Sequence, residues 1–237
     1  MTRSLLPGIA SPMRGKDFLS PFQPMRQVLP ELLDSLPHDD PEALHSRDEL
    51  RWINGIMGNH EWFCRALQEL ETGGLRILEL GAGDGALAQR VWSENIARPE
   101  QWSALDLAPI PAGWPGEAVW HQCDLLAMPE LPDAEIIVAN LVLHHFQKDQ
   151  LEALGRRLPD SCRMLIVCEP ARRWVHALQG RLLSMLAELS HVTFHDMFVS
   201  IRAGFVGDEL PQALGLNGWR TSVSITMLGA YRLTARR

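Results

Sequence analysis

The chain has 237 residues, 46% hydrophobic and 22% charged, which is enough apolar content for one large α/β domain and argues against general disorder. Twenty-nine acids against 22 Lys plus Arg give a formal charge of −7, the wrong sign for gripping a phosphate backbone, so nucleic acid is disfavoured as a partner. The four cysteines (Cys64, Cys123, Cys162, Cys168) form no C-x-x-C pair, which favours reduced thiols in a cytoplasmic protein and offers no zinc site.

Met1-Thr-Arg-Ser-Leu-Leu-Pro7 has too short an apolar run for a signal peptide. No run elsewhere approaches the ~18 apolar residues of a membrane span. An unexported protein is expected. Seven of the 16 prolines precede Glu42, and proline blocks long helices, so residues 1–43 read as an extended, partly mobile arm before the folded core. Leu50, Ile53, Ile56 and Met57, followed by Trp62, Leu67 and Leu70, recur at helical steps and predict two helices over residues 44–74.

The stretch Arg76-Ile-Leu-Glu-Leu-Gly-Ala-Gly-Asp-Gly85 is a short apolar run with an acid, then three glycines at alternate positions. It predicts a strand entering a loop moulded around a small molecule, with a helix over Ala86 to Ile96 whose free N–H groups favour a negative ligand group. Ser103-Ala-Leu-Asp106 ends a second apolar run in a carboxylate, the position from which a βαβ unit reaches the hydroxyls of a ribose. The two motifs together imply an adenosine-containing cofactor. Gly81, Gly83 and Ala86 also satisfy G-x-G-x-x-A, which keeps NAD or FAD open. Glu79 argues against them, since a carboxylate there repels a pyrophosphate and welcomes the ammonium and sulfonium of S-adenosylmethionine.

Apolar runs near 75–80, 101–106, 117–122, 134–140 and 161–169 alternate with helical segments near 85–96, 148–157 and 171–190, which predicts a parallel sheet covered on both faces. Two alternating runs after Gly218, around a turn containing Gly229, predict a terminal antiparallel hairpin. The Arg172–Leu186 segment is a basic-edged amphipathic helix, read either as packed on the sheet or as touching a membrane surface or partner.

Glu79, Gly81, Gly83 and Gly85 as E-x-G-x-G-x-G, with Asp106 ending the next strand, resemble the class I S-adenosylmethionine-dependent methyltransferases. Trp120-His-Gln-Cys-Asp124-Leu-Leu resembles the family's third strand and turn, and Ala139-Asn140-Leu-Val-Leu-His144-His145-Phe resembles the end of its fourth strand in the small-molecule branch. The resemblance covers roughly Leu75 to Arg237. It implies a Rossmann-like α/β fold: a mostly parallel seven-stranded sheet, a C-terminal antiparallel hairpin and an N-terminal helical lid. In this reading residues 1–43 form the arm, 44–74 the lid and 75–237 the cofactor domain.

The resemblance implies that backbone N–H groups of Gly81, Ala82, Gly83 and Gly85 hold the methionine end, with Glu79 beside them. Asp106 takes the ribose, Leu107, Asp124 and Leu125 the adenine, and Asn140 and Leu141 lie next to the methyl. It also implies that the lid carries substrate contacts, for which Trp52, Asn54, Asn59, His60 and Trp62 are candidates; packing on the sheet explains the same periodicity. His144 or His145 would serve as a base for a hydroxyl or carbon acceptor, unless the rings only pack and cap the next helix. The His191–Phe205 segment reads as the lining of a pocket for a nonpolar acceptor, with His195 beside Asp196 as a second base candidate and Phe198 and Arg202 as substrate contacts. His191 and His195 are spaced as a metal pair but lack a third ligand, so no metal is expected.

The sequence lacks Pro-Pro-aromatic after Asn140, a Pro-Cys nucleophile and the acid pair of the catechol type. These absences leave methylation at oxygen or carbon of a small hydrophobic or aromatic metabolite, in the manner of quinone-pathway and polyketide-tailoring enzymes. The alternatives are an NAD(P)- or FAD-dependent oxidoreductase and a non-catalytic S-adenosylmethionine-binding regulator.

Overall fold

A computed structural model describes residues 25–37, 40–70 and 72–237. Seven strands form one sheet: β1 (Ile77–Leu80), β2 (Trp102–Asp106), β3 (Val119–Gln122), β4 (Ile136–Asn140), β5 (Met164–Pro170), β6 (Arg220–Ile225) and β7 (Ala230–Arg236). Their order is β3-β2-β1-β4-β5-β7-β6. The five strands β1 to β5 run parallel, whereas β7 is antiparallel to both β5 and β6. The expected hairpin is present, with its second strand inserted beside β5.

Side-chain alternation sorts the sheet into two cores. Leu78, Leu80, Ile137, Leu165 and Val167 face one layer with Leu151, Phe205 and Tyr231. Ile77, Ala104, Ile136, Val138 and Ile166 face the other with Phe63, Leu67, Val91 and Trp102. Helices α1 (Pro41–Met57), α2 (Asn59–Gln68), α3 (Ala86–Ser93), α4 (Lys148–Arg156), α5 (Trp174–Ala187), α6 (His191–Ala203) and α7 (Glu209–Ala213) surround the sheet. The predicted 171–190 helix is therefore α5, and the segment read as pocket lining is a separate helix, α6. None of the described helices is long and apolar enough to cross a membrane.

The two helices of the expected lid divide their work. Asp40 caps α1 by accepting from Glu42 N, and Gly58 (φ 61°) makes the break that starts α2. Helix α1 overhangs the open end of the sheet, while α2 reaches the cavity with His60 at its start and buries Phe63, Cys64 and Leu67 against the core. The N-terminal segment also differs from the expected arm: residues 1–24, 38 and 39 lie outside the described residues, but residues 25–37 are tied to the fold. Arg26 donates to the carbonyls of Ala203, His144 and Phe146 and lies 4.5 Å above the Phe205 ring. Leu32 N and Leu33 N both donate to the buried Asp196 carboxylate.

The strand order reverses between β1 and β4, and this opens a crevice at the carboxyl ends of the strands. Register brings Leu80 level with Leu105 and Ala139, and Asn140 level with Cys168. Whatever follows these residues shares one edge.

Candidate active site

The loop after β1 needs its glycines for two different reasons. Gly81 (φ 66°) packs so closely that a Cβ would come 2.5 Å from the Val142 side chain, whereas Gly83 (φ 58°) has open space on its Cβ side and faces the crevice. Several of the loop's N–H groups are engaged: Gly81 N donates to Leu105 O at 2.8 Å, Gly83 N to Asp106 Oδ2 at 2.7 Å, Gly85 N to Ala82 O and Ala86 N to Asp84 Oδ1. The N–H groups of Gly81, Gly83 and Gly85 are thus less free than expected. Asp106 pins the loop to the end of β2, its other oxygen accepting from Ala108 N at 2.7 Å.

Three carboxylates therefore line this half of the crevice: Glu79, Asp84 and Asp106. Glu79 is buried and accepts from Trp102 Nε1 at 3.0 Å. Burial, reinforced by the charges of Asp106 and Asp84, pushes its carboxyl up to about 8. Asp84 is bridged by Arg51 Nε of α1 at 2.6 Å, a solvent-exposed link between the overhanging helix and the loop.

At the end of β4, Asn140 Oδ1 is buried with no hydrogen-bond partner among the described residues, and Asn140 lines the crevice. Leu141 follows in the left-handed region (φ 56°), its N–H donating to Cys168 O at 2.8 Å. The turn beyond is organised by Glu169, a fully buried carboxylate near the end of β5. One of its oxygens accepts from Val142 N and Leu143 N, at 3.1 and 2.7 Å. The other accepts from His144 N at 3.2 Å and lies 2.7 Å from His144 Nδ1. The opposite ring nitrogen of His144 lies 3.4 Å from Glu31 Oε1. Glu31 in turn accepts a hydrogen bond from Ser200 Oγ on α6.

The two adjacent histidines are driven apart electrically. Burial alone would lower His144, but its hydrogen bonds to Glu169 and Glu31 raise it to about 9. His145, whose ring centroid is 4.2 Å away, is lowered, first by burial and then by the His144 charge. It lies 3.7 Å from Asp34. Held between Glu169 and Glu31, the His144 ring keeps a proton more tightly than a free imidazole does.

A cavity of about 1040 Å³ joins these groups to the underside of α1 and the inner faces of α5 and α6. Its walls away from the acids are apolar: Leu33, Leu50, Ile53 and Met57 on one side, Leu183 and Ile201 on the other. Of the residues singled out in the sequence, Glu79, Gly81, Ala82, Gly83, Asp106, Leu107, Asn140, Leu141, Asn54, His60, His144 and His145 line it. Burial lowers His60.

The others lie elsewhere, each for a visible reason. Gly85 is backed by the Trp114 ring, Leu125 is in the core, and Asp124 is exposed with its carboxylate turned onto Leu126 N at 2.8 Å. Trp52 is exposed, off the α1 face that carries Leu50, Ile53, Asn54 and Met57. Buried Asn59 donates to Asn54 Oδ1 at 2.7 Å, behind the lining. Trp62 packs on Phe63 under the Arg232 guanidinium. On α6 the cavity face is Met197, Ser200 and Ile201. His195 therefore pairs with Asp196 at 2.9 Å, Phe198 packs on Phe194, and Arg202 is exposed. Sequence reasoning missed Glu31 and Glu169, which hold His144 from both sides.

No family model matches the chain, and no curated protein does. Solved structures do. The plantazolicin methyltransferase BpumL, in complex with a monoazolic desmethylPZN analogue and SAH, superimposes with a TM-score of 0.61 at 11% identity, covering 84% of this chain and 91% of that one. The methyltransferase domain of bacterial CtHen1 gives 0.53 at 12% identity, covering 75% and 96%. At these identities the likeness is one of architecture, and the chain has the Rossmann-like class I methyltransferase fold.

Proposed function

We propose that the protein is an S-adenosylmethionine-dependent methyltransferase acting on oxygen or carbon of a small apolar metabolite. One observation carries the cofactor assignment: the crevice beside the glycine loop is lined by Glu79, Asp84 and Asp106, and Asp106 already occupies Gly83 N. A pyrophosphate would be repelled by Asp84 and Asp106 and would keep Glu79 protonated, whereas a ligand bearing an ammonium and a sulfonium is attracted. The open side of Gly83 and the orphaned Oδ1 of Asn140 suit such a ligand. Asp106 would accept the ribose hydroxyls with its remaining lone pairs.

The bound cofactor supplies a methyl group on a positively charged sulfur, which is already electrophilic. The acceptor takes that methyl on oxygen or carbon, the electrons of the broken S–C bond stay on sulfur, and the acceptor loses a proton. The chain's own task is to align the acceptor and exclude water. The apolar walls under α1, α5 and α6 would hold the body of the acceptor, and the end formed by His144, His145 and Glu31 would receive its polar, proton-losing group. The Arg51–Asp84 bridge would hold α1 down over the pair.

Glu79 gives this reading a pH signature. Its carboxyl, held up to about 8 in the free protein, must ionise to face a cation, so cofactor binding expels a proton. Affinity for S-adenosylhomocysteine is expected to rise about tenfold between pH 6 and pH 9, most of it above pH 7, one pKa unit's worth of coupling, and then level off. Glu79→Gln should flatten the profile. Calorimetry in two buffers of different ionisation enthalpy reads the proton directly, and zero proton release would sink the assignment of Glu79.

A further inference from the structure

The polar end of the cavity holds a donor set that methyl transfer by proximity alone does not need. Glu31, His144 and His145 each offer one ligand atom, and these atoms lie within 4.8 Å of one another. We propose that this trio binds a first-row divalent transition-metal ion, with Glu169 as its outer carboxylate and the acceptor's hydroxyl as an incoming ligand. The hydroxyl's role rests on the methyltransferase reading; the binding of the ion does not.

The geometry is close to what an ion requires. Two donors about 2.1 Å from a common metal sit roughly 3.0–3.6 Å apart at ordinary ligand angles, and His144 Nε2 lies 3.4 Å from Glu31 Oε1. The third ligand has freedom to close the remaining gap, because His145 is only partly buried and meets Asp34 loosely at 3.7 Å. The surroundings resemble a prepared site. Glu169 grips His144 Nδ1 at 2.7 Å and aims Nε2 at Glu31, the carboxylate–histidine arrangement that orients metal-bound imidazoles. Ser200 Oγ donates to the same oxygen of Glu31 and holds it in place.

Charge points the same way. Glu31 and Glu169 flank the His144 ring from its two nitrogens, so two carboxylates converge on the proposed ion's position. A dication with two neutral imidazoles balances Glu31 and Glu169, the Nε2 proton of His144 passing to solvent as the ion binds. Two imidazoles and one carboxylate suit manganese, iron, cobalt or zinc rather than magnesium or calcium. Such an ion would lower the pKa of a coordinated hydroxyl. Its proton would leave to solvent and its oxygen would take the methyl, which selects a hydroxyl acceptor over a carbon one.

The test uses the full-length chain, stripped with a chelator and titrated with Co²⁺ (by its visible absorption) and Zn²⁺ (by calorimetry), with Mg²⁺ as control. One Co²⁺ or Zn²⁺ per chain at about micromolar Kd or tighter is expected, with no Mg²⁺ binding in that range. Glu31→Gln and His145→Asn should each weaken binding by about tenfold or more. Both variants are checked for folding by thermal unfolding. Absence of a stoichiometric site, or a site that both variants leave unchanged, would overturn the proposal. S-adenosylhomocysteine binding, measured on the same samples, separates the two ideas: its failure would remove the methyltransferase reading and leave a demonstrated metal site standing, and its success without metal binding would do the reverse.

Discussion

Glu169→Ala is expected to cost about 3–5 kcal/mol of folding stability, the usual penalty for removing one partner of a buried ion pair. The carboxylate accepts from three successive backbone N–H groups, of Val142, Leu143 and His144, and also binds the His144 ring. Each of these donors is left without its acceptor in the variant, in a place that water reaches poorly. Val142 also packs against Gly81, so the loss spreads to the glycine loop. Urea denaturation should show a lower midpoint with an unchanged slope. Glu169→Gln keeps an acceptor oxygen but turns an amide N–H₂ toward donors, and should fall between. A loss below about 1 kcal/mol for the alanine variant would mean that the turn is held by something other than Glu169.

Asp106→Ala is expected to weaken S-adenosylhomocysteine binding by about 100-fold or more, near 2.7 kcal/mol. The carboxylate has two duties. It ties Gly83 N and Ala108 N at 2.7 Å each, which fixes the loop against the end of β2, and in the proposed complex it accepts from the ribose. Charge-assisted hydrogen bonds of this kind contribute about 1.5–3 kcal/mol apiece. Asp106→Asn retains an acceptor and should lose less. Titration calorimetry measures both, and an unchanged affinity in the alanine variant would remove Asp106 from the site.

The sheet was legible because its signals are local. The inner parallel strands β1, β2, β4 and β5 are short, mainly apolar runs, and the loops that follow Leu80 and Leu105 carry their chemistry within a few residues. The hairpin was legible from alternation, though not its insertion order, since nothing in the sequence of β6 and β7 says which of them pairs with β5. The helical site residues were harder. Periodicity predicts that α1 and α6 have a buried face, but the phase relative to the cavity is a tertiary fact. Leu50, Ile53, Asn54 and Met57 define that face on α1, and Trp52 falls off it. On α6 the same shift separates Met197 and Ile201 from His195 and Phe198.

Glu31 and Glu169 escaped for different reasons. Glu169 lies one residue from the end of a strand buried along its whole length, Met164–Pro170, and an acid in such a run must have a partner. Glu31 sits among prolines in a stretch that looks like an arm. Only the packing of residues 25–37 against α6 brings it to His144. Part of the glycine loop's N–H groups go instead to Leu105 O, Asp106 and the loop itself, which the register of β1 and β2 brings within reach.

The central claim is the cofactor, and calorimetric titration of the unmodified chain with S-adenosylhomocysteine, NAD⁺ and NADP⁺ tests it most directly. The account predicts one site of about micromolar affinity for S-adenosylhomocysteine and no binding of either dinucleotide. Binding of NAD⁺ or NADP⁺ with none of S-adenosylhomocysteine would contradict it, and would mean that a pyrophosphate is accommodated beside Glu79, Asp84 and Asp106.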